Sequence, residues 1–472
     1  MGRKKKDLPV IENLEITGVA AEGNAIGRYN ERVVFVPYAA PGDVVDLKID
    51  KKKHSFYQGH IINLKKPSSL RISPRCSHFG ICGGCKWQHL PYEYQLNFKR
   101  QQVIDSLERI AKVPFPEVRP CIGSEKEWEY RNKVEYTFSN KKWLTFEQIE
   151  SGVEVPDREG AGFHIPGAFD KVLDINQCYL HDEFGNKLRD FLKKLGKDNN
   201  WEFYDLKNQE GFLRTLMVRT FTTGEKLVVI VVGQNDKDKI QSLIDAVIKE
   251  FPDITSLNYV VNTKVNDSIT DQKIITCHGR KYAEEQLGNL TFRISPKSFY
   301  QTNSLQAYRL YSVVSEMAQL TGNELVYDLY TGTGTIANFV AGISKKVIGI
   351  EYVEDAIRDA ELNAKINGIN NTEFFAGDMK DVLTDDFVSV HGRPDVMIID
   401  PPRAGMHKDV IGVILNTLPK RIVYVSCNPA TQARDIADLS SKYEVTDVQP
   451  VDMFPHTHHV ENVVRLDLRE PV

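Results

Sequence analysis

The sequence predicts a three-part protein: a doubly wound α/β sheet at the C-terminal end, preceded by a small β-barrel and a central α+β section. Three observations predict it. Residues 8 to 66 hold short β-like runs broken by turns, residues 74 to 91 gather three cysteines in a Gly-rich loop, and from about 291 onward strands alternate with helices. The expected parts are 1–70, 71–290 and 291–472.

In the first part RVVFVP, DVVDLKI and YQGHIINL read as barrel strands, with Pro41-Gly42-Asp43 as a turn. The second part opens on Cys76, Cys82 and Cys85. A helix over 92 to 112 follows, with Val103, Ile104, Leu107, Ile110 and Ala111 on one face, free to pack on the C-terminal part despite its place in the chain. LMVRTF and KLVVIVV are strands and 236 to 250 a helix, but this stretch shows no functional motif. The third part reads ELVYDLY, a Gly loop, KVIGIE, TEFFAG, DVMIID, RIVYVS and two closing strands, with helices between the earlier ones except that DVMIID is read as following TEFFAG directly. Ligands of such sheets bind beyond the carboxyl ends of the strands, so residues there carry the functional reading.

Overall charge is near neutral, -4 from 60 Lys and Arg against 64 Asp and Glu, yet residues 51 to 100 carry ten basic residues and one acid, Glu93. That surplus, interleaved with Phe56, Tyr57, Phe79 and Trp87, suits a nucleic acid better than a membrane; a solvated basic face is the alternative. The start MGRKKKDL lacks the apolar stretch of a secretory leader, and no run approaches the ~18 apolar residues of a membrane span. The seven cysteines are irregularly spaced, which points to a reducing, cytoplasmic setting and to thiols that bind metal or react.

Asp328-Leu329-Tyr330-Thr331-Gly332-Thr333-Gly334-Thr335 closes the first strand of the regular sheet. Alone, Gly332-x-Gly334-x-x-Ala337 fits a dinucleotide fingerprint, with Glu351 placed for ribose hydroxyls. Further acids at strand ends, Asp378 and Asp400, change the ligand. The set resembles the class I S-adenosylmethionine (SAM) dependent methyltransferases, whose ligand has a ribose and a cationic tail and so suits successive acids. Cys427 ends the fifth strand, with Asn428-Pro429 as N-cap and first residue of a helix whose dipole is expected to lower the thiol's pKa. It is either a small buried residue or a nucleophile. A thiolate beside a methyl donor can add to carbon 6 of a pyrimidine and activate carbon 5, after which a base must remove the carbon-5 proton. Glu461, before the last strand, is the acid available.

SFYQTN (298–303), DLYTGTGT, DPPRAGMH (400–407), VSCNPAT (425–431) and PHTHHVE (455–461) together resemble the motif set of the RNA (uracil-5-)-methyltransferases. The resemblance implies Cys427 as nucleophile, Glu461 as base, and Gln301, Tyr330, Thr335, Glu351, Asp378 and Asp400 at SAM-contact positions, with Phe299 beside the target base. Thr331 stands where the family pattern has Cys. His456, His458 and His459 also suggest a zinc site, which the motif match disfavours. Cys178 is the candidate fourth partner of Cys76, Cys82 and Cys85. Composition leaves zinc and iron-sulfur open, and similarity to the ribosomal branch of the family implies a [4Fe-4S] cluster. The barrel resembles a TRAM domain. The expected activity is methylation of a loop or bulge uridine of 23S ribosomal RNA by a monomer. Alternatives are a tRNA uracil-5 methyltransferase, a non-catalytic SAM- and RNA-binding protein, and a dinucleotide-dependent oxidoreductase.

Overall fold

A computed structural model of the chain describes residues 8 to 470; the first seven residues, most of the basic start read above, lie outside them. Five strands, Val10–Val19, Ala25–Tyr29, Arg32–Val36, Val44–Lys52 and Phe56–Lys66, form a closed barrel. Alternation of side chains along a strand sends Ile11, Leu14, Val34, Val36, Leu47 and Ile49 inward. Gly59 is required by packing, since a Cβ there would lie 2.5 Å from the Lys48 carbonyl oxygen.

The central part is a seven-stranded mixed sheet carrying helices Glu183–Asp198 and Lys237–Glu250. Its strand Lys226–Val232, KLVVIVV, is apolar at every position after the first, and the structure gives the reason. Val228, Ile230 and Val232 face the core beneath the two helices, while Leu227, Val229 and Val231 join a core shared with the C-terminal part. The shared core includes Ala307, Leu310 and Val314 of helix Ser304–Ala318.

The helix expected over 92–112 runs as Tyr92–Ser106 and continues through a wider turn, Leu107–Ala111. Val103, Leu107 and Ala111 are buried against Ile436 and Leu439 of helix Pro429–Leu439, so this segment packs with the C-terminal part. Ile110, expected on the apolar face, is 42% exposed.

The C-terminal sheet comprises Thr372–Ala376, Lys346–Glu351, Leu325–Leu329, Val396–Ile399, Arg421–Ser426, Glu461–Leu468 and Tyr443–Val451, in that spatial order. The first five are mutually parallel. Glu461–Leu468 is antiparallel to both its neighbours. The reversal brings the start of that strand to the edge where the parallel strands end.

Candidate active site

Register places the two expected catalytic side chains together. Ser426 pairs with Asn462 in the antiparallel ladder, so Cys427, one residue after, and Glu461, one residue before, emerge side by side. Glu461 is 6% exposed, and burial, reinforced by the neighbouring Asp400, pushes its carboxyl up to about 8 while Arg403 opposes this. The Cys427 thiol is pushed up to about 11, first by burial and then by the Glu461 charge. Arg403 pulls the other way, by its charge. Asn428 caps the following helix, its side chain accepting from the Ala430 N–H at 3.2 Å, as the sequence implies. The expected lowering of the thiol does not follow: desolvation and an adjacent carboxyl outweigh one exposed helix end.

The remaining strand ends supply a run of carboxyls. Asp328 is fully buried; its Oδ2 accepts from the Thr331 hydroxyl and the Ala337 N–H, while Oδ1 has no partner. Burial raises it to about 7, as it does Asp400. Thr331 thus supplies a hydrogen bond at the position where it departs from the family pattern. Glu351 accepts from the Gly332 N–H at 3.1 Å and the Val353 N–H at 3.0 Å, which ties the Gly loop to the second strand. Tyr330 adopts φ 64°, and Gly334 φ 73°, where a Cβ would lie 2.8 Å from that of Ala360. Thr335 starts helix Thr335–Ala341, its hydroxyl 3.3 Å from that of Tyr311. Asp378 is half-buried and caps a short helix through the Lys380 N–H. Gln301 is held by its main chain, its carbonyl accepting from Asn132 Nδ2 at 2.9 Å. Phe299 is 70% exposed.

The loop ahead of Glu461 is clamped from the helix Tyr92–Ser106. Lys99 and Asp452, both fully buried, form an ion pair at 2.5 Å. The Lys99 ammonium also donates to the Phe454 carbonyl, and Gln95 bonds the His456 N–H. His456 stacks on Trp128 at 3.9 Å. Burial keeps His456 and His458 down at about 4 and His459 at about 3. These histidines gather no metal-holding group among the described residues.

Cys76, Cys82, Cys85 and Cys178 converge on one cavity of about 540 Å³, which Thr302 and His459 also line. Asn186, on helix Glu183–Asp198, grips both main-chain groups of Cys178, at 2.9 and 3.1 Å. Gly83 takes φ 80°, and a Cβ there would lie 2.4 Å from Pro166 Cγ, so both the backbone and the packing require glycine. Burial foremost, with mutual charge repulsion, pushes Cys82 to about 11 and Cys85 to about 12. Among the described residues, however, no three His, Cys, Asp or Glu side chains come close enough to hold one metal ion. The expected metal set is therefore four convergent thiols around a space, not a closed tetrahedral site.

A family model described as tRNA (Uracil-5-)-methyltransferase matches residues 212–469. The chain belongs to that family. A TRAM domain model matches residues 11–62, the barrel. Uncharacterized RNA methyltransferases of Porphyromonas gingivalis and Chlorobaculum tepidum are similar throughout. The first is 57% identical, covering 96% of this chain and 99% of the relative. The second is 40% identical, covering 98% and 97%. Among solved structures, the Pyrococcus abyssi tRNA (uracil-54, C5)-methyltransferase in complex with S-adenosyl-L-homocysteine is similar at TM-score 0.75 and 28% identity, covering 96% of this chain and 100% of that one. The protein is an RNA methyltransferase with a Rossmann-like catalytic domain and a TRAM barrel.

In this methyltransferase Glu351, Asp328, Asp400, Cys427 and Glu461 stand at successive strand ends along the sheet edge, where the Asp400 charge acts on Asp328, Cys427 and Glu461. The Gln301 side chain makes no hydrogen bond to this group. Sequence reasoning missed Arg403, although it lies inside the quoted DPPRAGMH, because an isolated arginine reads as solvated. It also missed Asn132 and Lys99, which act from other parts of the chain and leave no local pattern.

Proposed function

We propose that this enzyme transfers a methyl group from SAM to carbon 5 of one uridine in 23S ribosomal RNA. The carrying observation is the Cys427–Glu461 juxtaposition beside Asp400 and Arg403. Carbon 5 of uracil becomes nucleophilic only when carbon 6 is attacked, and Cys427 is the attacking group. Arg403 favours the thiolate that this requires. Glu461, pushed up to about 8, is mostly protonated at pH 7; its ionised fraction, which grows toward pH 8 and is a stronger base than an ordinary carboxylate, removes the carbon-5 proton. Its acceptance of that proton lets the carbon 6–sulfur bond break and returns Cys427. SAM, when bound, supplies an electrophilic methyl on a sulfonium.

The residues fit that ligand. A buried Asp328 oxygen without a partner, with Glu351 and Asp400 along the same edge, offers negative charge where the donor brings positive charge. Gln301, Tyr330, Thr335, Glu351, Asp378 and Asp400 are the residues that would hold it.

Cys76, Cys82, Cys85 and Cys178 would hold a [4Fe-4S] cluster in a structural role. Zinc at ~2.3 Å from each sulfur needs the sulfurs about 3.8 Å apart. The four thiols line one cavity with room for the larger group. Iron and sulfide analysis decides, and stoichiometric zinc would refute the cluster.

The barrel and the basic segment 51–100 supply the electrostatic hold on RNA. No helix among the described residues is long and apolar enough to cross a membrane, and the enzyme is proposed to act as a cytoplasmic monomer. A tRNA substrate is the second reading, favoured by the whole-length likeness to the Pyrococcus abyssi enzyme, central part included.

The test is incubation with methyl-labelled SAM and separate ribosomal and transfer RNA, followed by mapping of the methyl. Cys427→Ala is expected to be inactive, and RNA containing 5-fluorouridine to form a covalent adduct with the wild type. Normal turnover by Cys427→Ala would sink the mechanism.

A further inference from the structure

Away from the strand-end site, a cavity of about 650 Å³ opens between the outer wall of the barrel and the helix Tyr92–Ser106 with its continuation. Its barrel wall follows from strand register. Ile26 pairs with Phe35, Phe35 with Gln58, and Gln58 with Lys51, so four adjacent strands present an apolar, an aromatic, an amide and a cationic side chain in one row. Phe56, two residues before Gln58 and on the same face, packs edge-to-face on Phe35 at 5.4 Å. The facing wall offers Phe98, Gln102 and Arg109, and the rim includes Ala430. Ala430 stands in the first turn of the helix that begins immediately after Cys427.

We propose that this cavity is a subsite for one unstacked base of the RNA, belonging to a nucleotide that neighbours the target uridine. The inference rests on the RNA methyltransferase reading above. Phe35 and Phe56 give the base an apolar wall to stack on, and aromatic stacking accepts any base. The side-chain amides of Gln58 and Gln102 bond to no other described residue, so both are free to meet a base edge from opposite walls. Lys51 forms no ion pair with a described residue and lies on the wall where a phosphate would pass, whereas Arg109 is partly occupied by Asp105 at 3.3 Å. A volume of this size lies in the ~300–1,000 Å³ range of sites for small organic groups. Drawing one uridine out of a loop leaves its neighbours without a stacking partner, and a pocket lined by Ala430, three residues after Cys427 in the chain, takes one of them.

The experiment uses the full-length enzyme and RNA fragments spanning the mapped methylation site, or, if no methylation occurs, a 12-nucleotide single-stranded RNA. The fragments carry 2-aminopurine at either side of the target, or 4-thiouridine for photocrosslinking. Quenching of 2-aminopurine at one position on binding is expected, with crosslinks in the segments 51–58 or 98–110. Phe35→Ala/Phe56→Ala is expected to abolish the quench and weaken RNA binding roughly tenfold, about the worth of one stacked base. Gln58→Glu, which leaves the stacking wall intact, should raise KM for RNA and change kcat little. Thermal unfolding at the wild-type midpoint establishes that each variant is folded. Methylation by the wild type without a position-specific quench, or with a quench that survives the double substitution, would overturn the subsite and leave the enzyme activity standing. A quench and crosslinks without methylation would support the subsite and count against the proposed reaction.

Discussion

Replacing Glu461 by glutamine should make the enzyme more stable and unable to turn over. In the folded chain the carboxyl is pushed from its ordinary 4.5 to about 8, chiefly by burial. Unfolding at pH 7 therefore releases a proton that the fold retains. The span from 4.5 to 7, at ~1.36 kcal/mol per pH unit, makes the cost of keeping that group in the fold on the order of 3 kcal/mol. That is a large share of a net stability of roughly 5–15 kcal/mol. The sign follows from proton uptake: below pH 4.5 both states are protonated and the cost vanishes. It grows as pH rises and levels off above about 8. Glutamine has the same shape and no proton to lose. Thermal midpoints of wild type and Glu461→Gln should nearly coincide at pH 5 and separate at pH 8, with the variant higher. The same variant, given RNA and SAM, should accumulate a covalent RNA adduct visible on a denaturing gel. Equal separation at both pH values, or a variant less stable at pH 8, would mean that Glu461 is ionised in the fold. Rapid release of methylated RNA would point to another base.

Three further outcomes follow from the same site. Arg403→Gln removes the cation that opposes burial at Cys427, so the rate of adduct formation with 5-fluorouridine RNA should fall at least about tenfold, with its rise toward alkaline pH displaced upward. Lys99→Met leaves Asp452 buried without its cation and should cost about 3–5 kcal/mol in denaturant unfolding, whereas Lys99→Met/Asp452→Asn should recover much of this; an additive pair of losses would refute the ion pair's role. Asp328→Asn keeps the shape and hydrogen-bonding reach of a buried carboxyl while removing its charge, so SAM affinity measured by calorimetry should drop with little change in thermal midpoint at pH 5.

The C-terminal sheet was legible because buried parallel strands such as KVIGIE and DVMIID are continuous apolar runs that end on charged residues. The acids at those ends carried the site reading, and the antiparallel return strand explains why a glutamate 34 positions after the cysteine, Glu461 against Cys427, reaches it. The helix Glu183–Asp198 escaped notice because Gly185 and Gly196 interrupt its pattern. Both glycines are needed, since a Cβ would lie 2.5 Å from His181 Nδ1 at the first and 2.6 Å from Leu213 Cδ1 at the second. The direction of the Cys427 shift was illegible because it depends on how deeply the thiol and Glu461 are buried together, which no local pattern encodes.

The strand Lys226–Val232 has a mechanical consequence. With one row of its side chains under the central helices and the other inside a core shared with the catalytic domain, it acts as a rivet between the two bodies. An enzyme fastened this way has no hinge there with which to close over its substrate. On the proposed mechanism, the deformation needed to bring a stacked uridine to Cys427 then falls on the RNA. Selectivity becomes a matter of how readily each RNA yields, so that among otherwise equal uridines the one in the most pliable loop is the first to be modified.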